Sequence, residues 1–499
     1  MSLPEVVVDP DEVKELLVSH LRTKKILRDG VQPWTVGYSR LGGRGLFATR
    51  DIKANELIFV DSPLVIGPRC VVKQHLRMCV RCYKTECPLF PCDRGCGLPV
   101  CSTRCENSPD HADRECAYLR SLVPRCGTDW SLELLPTVIP IRGLYMTEEQ
   151  RKCFAAFQCD QTLTPCYEIE LLQRNVTNPP SEEELKLMRR VCGAFNTNAF
   201  ETVSVQDKDH SSSLRGLYPM GALQNHCCAP NTRHHFDGEQ RLYVNASLPI
   251  AAGEELTMSY TSLFWDTTLR RQFLNVTKHF ACACKRCSDP TEFGSRLGAL
   301  LCASDHCSGN LLPRDPLNMT SPWVCDKCLM TMHNRQISSI RSGLAAIMEE
   351  ALYKTPRQIY KFMQKELSII MPANNYLIMD IKFRIISYYG RAEGVQWPDL
   401  TIAELDTKVK YCNDLLSILN TLNCGDCKKK GLILYELYCT NMEKMRRLRQ
   451  QQNIRNEDAH LPVQNNENEH LLEKAMTILQ NDVVAVVTFE HDKQFFKQC

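Results

Sequence analysis

The sequence predicts a multi-domain α+β protein in which metal ions staple a strand-rich half and helices build the remainder. Three observations lead there. The chain has 499 residues, 43% hydrophobic and 24% charged, an ordinary globular composition and long enough for two to four domains. It carries 28 cysteines, many in short C-x(1–3)-C pairs, the spacing of zinc ligands. From about residue 335 a strand-and-turn pattern gives way to helical periodicity. A net charge of +2 argues against a protein built around a basic nucleic-acid face. No apolar run approaches the roughly 18–20 residues that span a bilayer. The start, MSLPEVVVDPDEVKELL, has acids where a secretory signal needs basic residues and an apolar stretch. The expectation is a soluble intracellular protein of nucleus and cytoplasm, without a disulfide framework, and with neither a membrane nor nucleic acid as a direct partner.

Along the chain, Val13, Leu16, Leu17 and Leu21 make residues 1–30 an amphipathic helix. Residues 34–66 alternate around a glycine turn, Gly42-Gly43-Arg44-Gly45, and read as β structure. Residues 117–190 read as helical; Ser181 and Glu184 in SEEELKLMRRV have capping-box spacing. Residues 191–262 read as short strands and turns. In the last third, Ile337, Ile340, Leu344, Ile347 and Ala351 form one helical stripe. Further stripes near 356–371, 376–391, 400–422, 430–447 and 468–481 suggest stacked antiparallel helix pairs. The polar run 449–469 reads as a loop. Lys428–Lys430 and Arg446–Arg449 read as solvated faces.

The cysteines fall into clusters. Cys79, Cys82, Cys92, Cys96, Cys101, Cys105, His111 and Cys116 supply eight ligands, enough for two tetrahedral zincs. If the pairs interleave, Cys79, Cys82, Cys101 and Cys105 hold one, and Cys92, Cys96, His111 and Cys116 the other. So short a segment would draw its folding energy from the metal. Cys87 is an extra thiol, either a packing residue or a competitor of one ligand. Cys282, Cys284 and Cys287 lack a fourth partner nearby. Cys302, Cys307, Cys325 and Cys328 have the spacing of a zinc ribbon. Cys424 and Cys427 lack a second pair and read as ordinary thiols.

Between these clusters lie Asn225-His226-Cys227-Cys228-Ala229-Pro230-Asn231 and Gly253-Glu254-Glu255-Leu256-Thr257-Met258-Ser259-Tyr260. Proline breaks a strand ladder and asparagine competes for its backbone bonds, so an ordinary strand does not explain the first segment. Together, GGRGLFA at 42–48, FNTNAF at 195–200, GLYPMGALQNHCCAPN at 216–231, GEELTMSY at 253–260 and FACACKRC at 280–287 resemble the SET and MYND domain-containing (SMYD) family of protein-lysine methyltransferases, over roughly residues 31–290. The resemblance extends to the arthropod SmydA-type branch. It implies a split β-rich SET domain (31–78 and 191–262) holding a MYND zinc finger (79–116) and a helical insert (117–190). A post-SET zinc segment (263–290), a zinc ribbon (298–330) and a helical, TPR-like domain (335–499) would follow.

The resemblance implies S-adenosylmethionine (SAM) as cofactor, with Arg44 and Gly45 in the first contacting loop. It implies that Asn198, Asn225 and His226 meet the cofactor's polar parts, that Phe280 stacks near the adenine, and that Tyr260 is the catalytic residue at the methyl-transfer end. It also implies Cys228 as the missing ligand beside Cys282, Cys284 and Cys287, making four zincs in all. Proline-rich peptides would dock on the MYND finger and a protein or peptide would be the substrate. Two positions depart from the family pattern: Cys227 replaces the usual serine, a small change, and Lys278 stands where active members generally carry a second tyrosine. An outward-pointing Lys278, or completion of the channel by Tyr218, would remove the conflict. The expected function is lysine methylation of histone or non-histone proteins, in chromatin and transcription regulation. The alternative is a non-catalytic SET–MYND adaptor or transcriptional repressor.

Overall fold

A computed structural model describes residues 7–70, 77–126, 131–158, 166–207, 210–452 and 461–489. Its strand-rich half contains three small sheets. In the first, Trp34–Tyr38 pairs antiparallel with Arg44–Ala48, which pairs antiparallel with Glu255–Met258; the short strand Asn225–His226 adds in parallel. The second orders Thr232–Phe236, Leu242–Ala246 and Leu57–Asp61, and the third Val65–Pro68, Ser211–Leu217 and Phe200–Val205. Their apolar faces share one core, including Trp34, Leu46, Phe59, Val244 and Leu256. The helix Pro10–Thr23 closes one side of it. Proline fits the first helical position, and the Asp9 carboxylate accepts the N–H groups of Asp11 and Glu12, satisfying donors that a helix start leaves unpaired. Val13, Leu17 and Leu21 are buried and Leu16 is only half-buried.

Pro230 and Asn231 explain why the central segment is no ordinary strand. The Asn231 side chain accepts the Thr257 N–H at 2.8 Å and donates to the Glu255 carbonyl at 2.8 Å. An amide side chain thus replaces a ladder partner where proline has none to give. Asp61, fully buried, accepts the N–H groups of Met220 and Gly221 and fixes the turn that leads into Asn225.

The capping box at Ser181 and Glu184 is present, but the helix runs Glu182–Asn198, beyond the change at residue 190 that the sequence suggests. Val191, Ala194 and Phe195 prolong its buried face, so the strands resume only at Phe200. The finger region packs against this insert through a shared apolar cluster, including Val80, Leu98, Val138 and Ile141, and through one guanidinium. Arg142 donates to Glu115 at 2.7 Å, to Tyr83 Oη at 2.7 Å, and to the carbonyls of Ile66 and Val80. Glu115 is fully buried; burial alone would raise its pKa, yet Arg142 and His111 hold it below the ordinary carboxylate value.

The sheet Leu300–Leu301, Asn310–Pro313, Trp323–Cys325 and Thr331–Met332 leads into the helical part. There Asn334–Ala351, Pro356–Lys365, Tyr376–Tyr388, Ile402–Thr421, Lys428–Gln452 and Leu461–Ile478 follow one another, and from Pro356 onward each packs on the next. The loop expected at 449–469 is shorter at both ends, because helices continue to Gln452 and resume at Leu461; residues 453–460 lie outside the described residues. The basic runs are solvated only in part. Lys429 Nζ sits 4.3 Å from the Phe383 ring centroid, Lys428 pairs with Asp482 and Lys430 with Asp426. Arg446 and Arg447 both bind the buried Glu443. Arg449 stays exposed; Lys430, Arg446 and Arg447 pair within their own turn, whereas Lys428 and Lys429 find partners on other segments, which periodicity cannot show. No described helix is long and apolar enough to cross a membrane.

The helical part meets the strand-rich half at several points, among them Asn55 with Asp426, and meets the helix that follows it at Asp266. Its carboxylate caps the helix Thr267–Lys278 through Leu269 N–H and takes Arg341 at 2.6 Å. Burial opposes its ionisation, but Arg341 and the helix N-terminus keep its pKa below the ordinary value. A carboxyl with a depressed folded pKa contributes stability that is present above its unfolded pKa of about 3.9 and lost as pH falls through the folded value. Asp266→Asn should therefore flatten the acid limb of a urea-unfolding series between about pH 5 and pH 2. Arg142→Met should lower stability by about 3 kcal/mol, since it leaves Glu115 buried and short of its main counter-charge; the urea midpoint reads it.

Candidate active site

Four stretches distant in sequence converge on one cavity of about 550 Å³, within the range of small-molecule sites. Its wall includes Gly43, Asn198, Asn225, Tyr260, Lys278 and Phe280. The glycine turn forms the first rim. Gly42 and Gly43 take φ of +141° and +59°, values that suit glycine. Gly45 stands behind the cavity wall, where a Cβ would push aside the carboxylate of Glu255 and the amide of Asn225.

The side chains predicted to meet the cofactor divide into two kinds. Arg44 lines the cavity, but its buried guanidinium donates to the carbonyls of Val7 and Ala156; it secures the chain behind the rim. Its pKa is lowered by burial. His226 also lines the cavity, with both nitrogens committed. Nδ1 accepts the Tyr260 N–H at 2.9 Å, and Nε2 lies 3.1 Å from Cys228 Sγ. The proton therefore sits on Nε2, and burial holds the ring neutral, with a pKa pushed down to about 4. Arg44 thus lies in the expected loop with its side chain turned to protein carbonyls, and both His226 nitrogens face protein groups.

Asn225 Nδ2 donates to the Arg44 carbonyl and to Glu255; no described hydrogen bond reaches its Oδ1. Asn198, the last residue of its helix, donates to the carbonyls of Gln158 and Ala194. Phe280 presents its ring 6.0 Å from His226 and 6.5 Å from Tyr260. The Tyr260 hydroxyl donates to the Gln224 carbonyl at 2.7 Å, and burial raises its pKa to about 12, so it stays protonated. The set fits a nucleoside-bearing cofactor: a glycine-lined rim, amides, and an aromatic wall.

Lys278 points into this cavity, not outward. Nζ donates to the Thr197 carbonyl at 2.5 Å and lies 5.7 Å from the Tyr260 ring centroid. Burial lowers its pKa, opposed by Glu201. Tyr218 does not complete the channel: it is buried against Phe200 and Phe236, and its hydroxyl donates to the Gln240 carbonyl.

Next to the cavity stands a tetrad of Cys228, Cys282, Cys284 and Cys287, whose sulfurs all lie within 4.8 Å of one another. Cys228 is 3.5 Å from Cys287 and 3.9 Å from Cys282. Four sulfurs about 2.3 Å from a zinc would stand about 3.8 Å apart, so the spacing suits that ion. Arg270, fully buried, donates to Cys228 at 3.1 Å and Cys287 at 3.4 Å and is anchored by Glu292 at 2.6 Å. Buried N–H donors to sulfur are what a thiolate cluster needs. Three other tetrads have the same compactness: Cys79, Cys82, Cys101, Cys105; Cys92, Cys96, His111, Cys116; and Cys302, Cys307, Cys325, Cys328. In the second, His111 Nδ1 faces Glu115 at 3.1 Å, which turns Nε2 toward the sulfurs. Cys87 lies outside the first tetrad, its thiol 3.8 Å from the Lys84 carbonyl. Cys424 and Cys427 are buried and join no cluster among the described residues. All described cysteines are free of disulfides.

Sequence reasoning missed Arg270, Arg286 and Glu292, the buried network behind the tetrad; nothing in their spacing marks them. It also missed Thr197, which acts through its carbonyl, and the grouping of Cys166, Glu168 and Cys192, whose members are too far apart in sequence to register.

Comparison with known proteins bears on this geometry. The SET domain family matches residues 43–261. The chain is 33% identical over 437 residues to SET domain-containing protein SmydA-8, isoform B, of Drosophila melanogaster, spanning 85% of this chain and 94% of that protein. It is 30% identical over 261 residues to histone-lysine N-methyltransferase SMYD3 of Homo sapiens, spanning 49% of this chain and 59% of that one. It is 26% identical over 330 residues to histone-lysine N-methyltransferase ASHR1 of Arabidopsis thaliana, spanning 62% and 66%. A solved structure of the SET domain of LSMT bound to lysine and AdoHcy aligns over 98% of this chain and 93% of that one, at 13% identity and a TM-score of 0.28.

Metal analysis of purified protein should give about four zincs per chain, one per tetrad. Cys228→Ser should remove one equivalent and leave the other three; a count of two or fewer in the unaltered protein would sink both the post-SET and ribbon assignments.

Proposed function

The chain belongs to the SET and MYND domain-containing family, on its SmydA branch, and from that premise we propose a SAM-dependent protein-lysine N-methyltransferase acting on histone or non-histone proteins. The observation that carries the reading is the convergence of Asn198, Asn225, Tyr260 and Phe280 on one cavity beside the Cys228 tetrad. In this reading the sixteen clustered cysteine and histidine ligands hold four structural zincs. None has an open position for chemistry, because each has four protein ligands.

When bound, SAM supplies a methyl group already activated on a sulfonium, so the protein's task is mainly to position a neutral amine. Gly45 lets Glu255 and Asn225 pack closely behind the cavity wall. Asn198 and Asn225 set the rim, and Phe280 gives an aromatic face for the adenine. Tyr260 stays protonated; its backbone N–H bonds His226 and its hydroxyl bonds Gln224, which holds the ring still at the acceptor end. A free lysine has a pKa of about 10.4, so a buried, largely uncharged acceptor site favours its neutral form. Lys278 supports the second reading, a non-catalytic adaptor whose finger binds proline-rich peptides, because an ammonium there repels an incoming one.

Calorimetry on zinc-replete protein separates the two. Methylation predicts SAM binding, lost in Asn225→Ala, and transfer that falls about 100-fold in Tyr260→Phe through misplacement of the acceptor. A well-folded protein that binds no SAM supports the adaptor.

A further inference from the structure

Lys278 places a half-buried amine where the proposed reaction consumes amines. It ends the helix Thr267–Lys278, and His279 follows in the left-handed region at φ 59°, ψ 32°. That ending turns the chain toward Phe280 and leaves the Lys278 side chain directed into the cavity. There Nζ is held from two sides, by the Thr197 carbonyl at 2.5 Å and by the face of Tyr260 at 5.7 Å. No carboxylate lines the cavity among the described residues. Glu201, the one acid that raises the Lys278 pKa, is outweighed by burial, which lowers it. A partly buried lysine with no ion pair releases its proton more readily than one in water. Tethering also frees it from the association cost that an external lysine meets.

We infer that Lys278 is itself a methyl acceptor, modified in cis inside the cavity it lines. The inference rests on the methyltransferase reading. The lone pair of neutral Nζ forms the N–C bond to the methyl carbon of SAM. The S–C bond breaks, and its electron pair stays on sulfur as the neutral thioether of S-adenosylhomocysteine. Nζ becomes a methylammonium carrying the positive charge the sulfonium had, and so charge and atoms balance. Until it is displaced, the same amine competes with any peptide lysine for the Thr197 carbonyl.

The test uses the full-length zinc-replete chain, SAM with a deuterated methyl group, and peptide mapping. Calorimetry of SAM binding and turnover of a lysine peptide run in parallel. The expected result is a heavy methyl group on Lys278, formed at a first-order rate unchanged over about a hundredfold dilution of protein. Lys278→Arg should abolish that label while still binding SAM. Lys278→Tyr should raise kcat/KM for a lysine peptide. SAM binding or peptide turnover with Lys278 unlabelled overturns the inference and leaves the methyltransferase reading standing. Labelling of Lys278 whose rate falls with dilution overturns the cis assignment. Absence of SAM binding overturns the methyltransferase reading itself.

Discussion

The cavity depends on one joint: the meeting of Cys228, at the end of the short strand, with Cys282, Cys284 and Cys287. That joint brings residues 280–287 against Asn225–His226 and so supplies the wall that carries Phe280 and Lys278. His226 belongs to both sides of it, with one nitrogen on the tetrad and the other on the Tyr260 backbone. Arg270 and Arg286 converge on Glu292 behind the sulfurs, so the charge of a thiolate cluster is matched by buried cations. The zinc that suits this tetrad would close the cavity as it closes the fold.

The same device recurs at the other joints. Arg142 ties finger, insert and strand-rich core through Glu115 and three backbone or hydroxyl acceptors. Asp266 ties the helix Thr267–Lys278 to the helical part through Arg341. Buried ion pairs add little stability over an apolar replacement, but breaking one side is costly. They suit joints whose relative placement matters more than their strength. Lys278 is different. It is a half-buried amine with a carbonyl and a ring for company, placed where the family resemblance expects a tyrosine.

Much of this was legible in the sequence. Three of the four tetrads could be read because zinc ligands come in short pairs, and the capping box of Glu182–Asn198 because its signal is local. The fourth ligand at Cys228 came from family resemblance, since its partners begin 54 residues later. Less legible were the roles of side chains with two possible partners. Arg44 and His226 stand where a cofactor contact is expected, yet carbonyls and a sulfur take their donors. Lys428 and Lys429 read as solvated because helical periodicity says nothing of a partner on another segment.

The sequence by itself determined the class of the protein, its metal-ligand sets, the glycine rim and the candidate Tyr260, because each is a pattern within a few residues or a family motif. Only the tertiary structure decided that Lys278 faces inward and Tyr218 does not reach the cavity. It also decided that Arg44 braces the rim from behind and that Arg270 backs the tetrad. Those are questions of direction: a side chain's target is set by where the helix beneath it ends and what packs across from it, and neither is written at the residue itself.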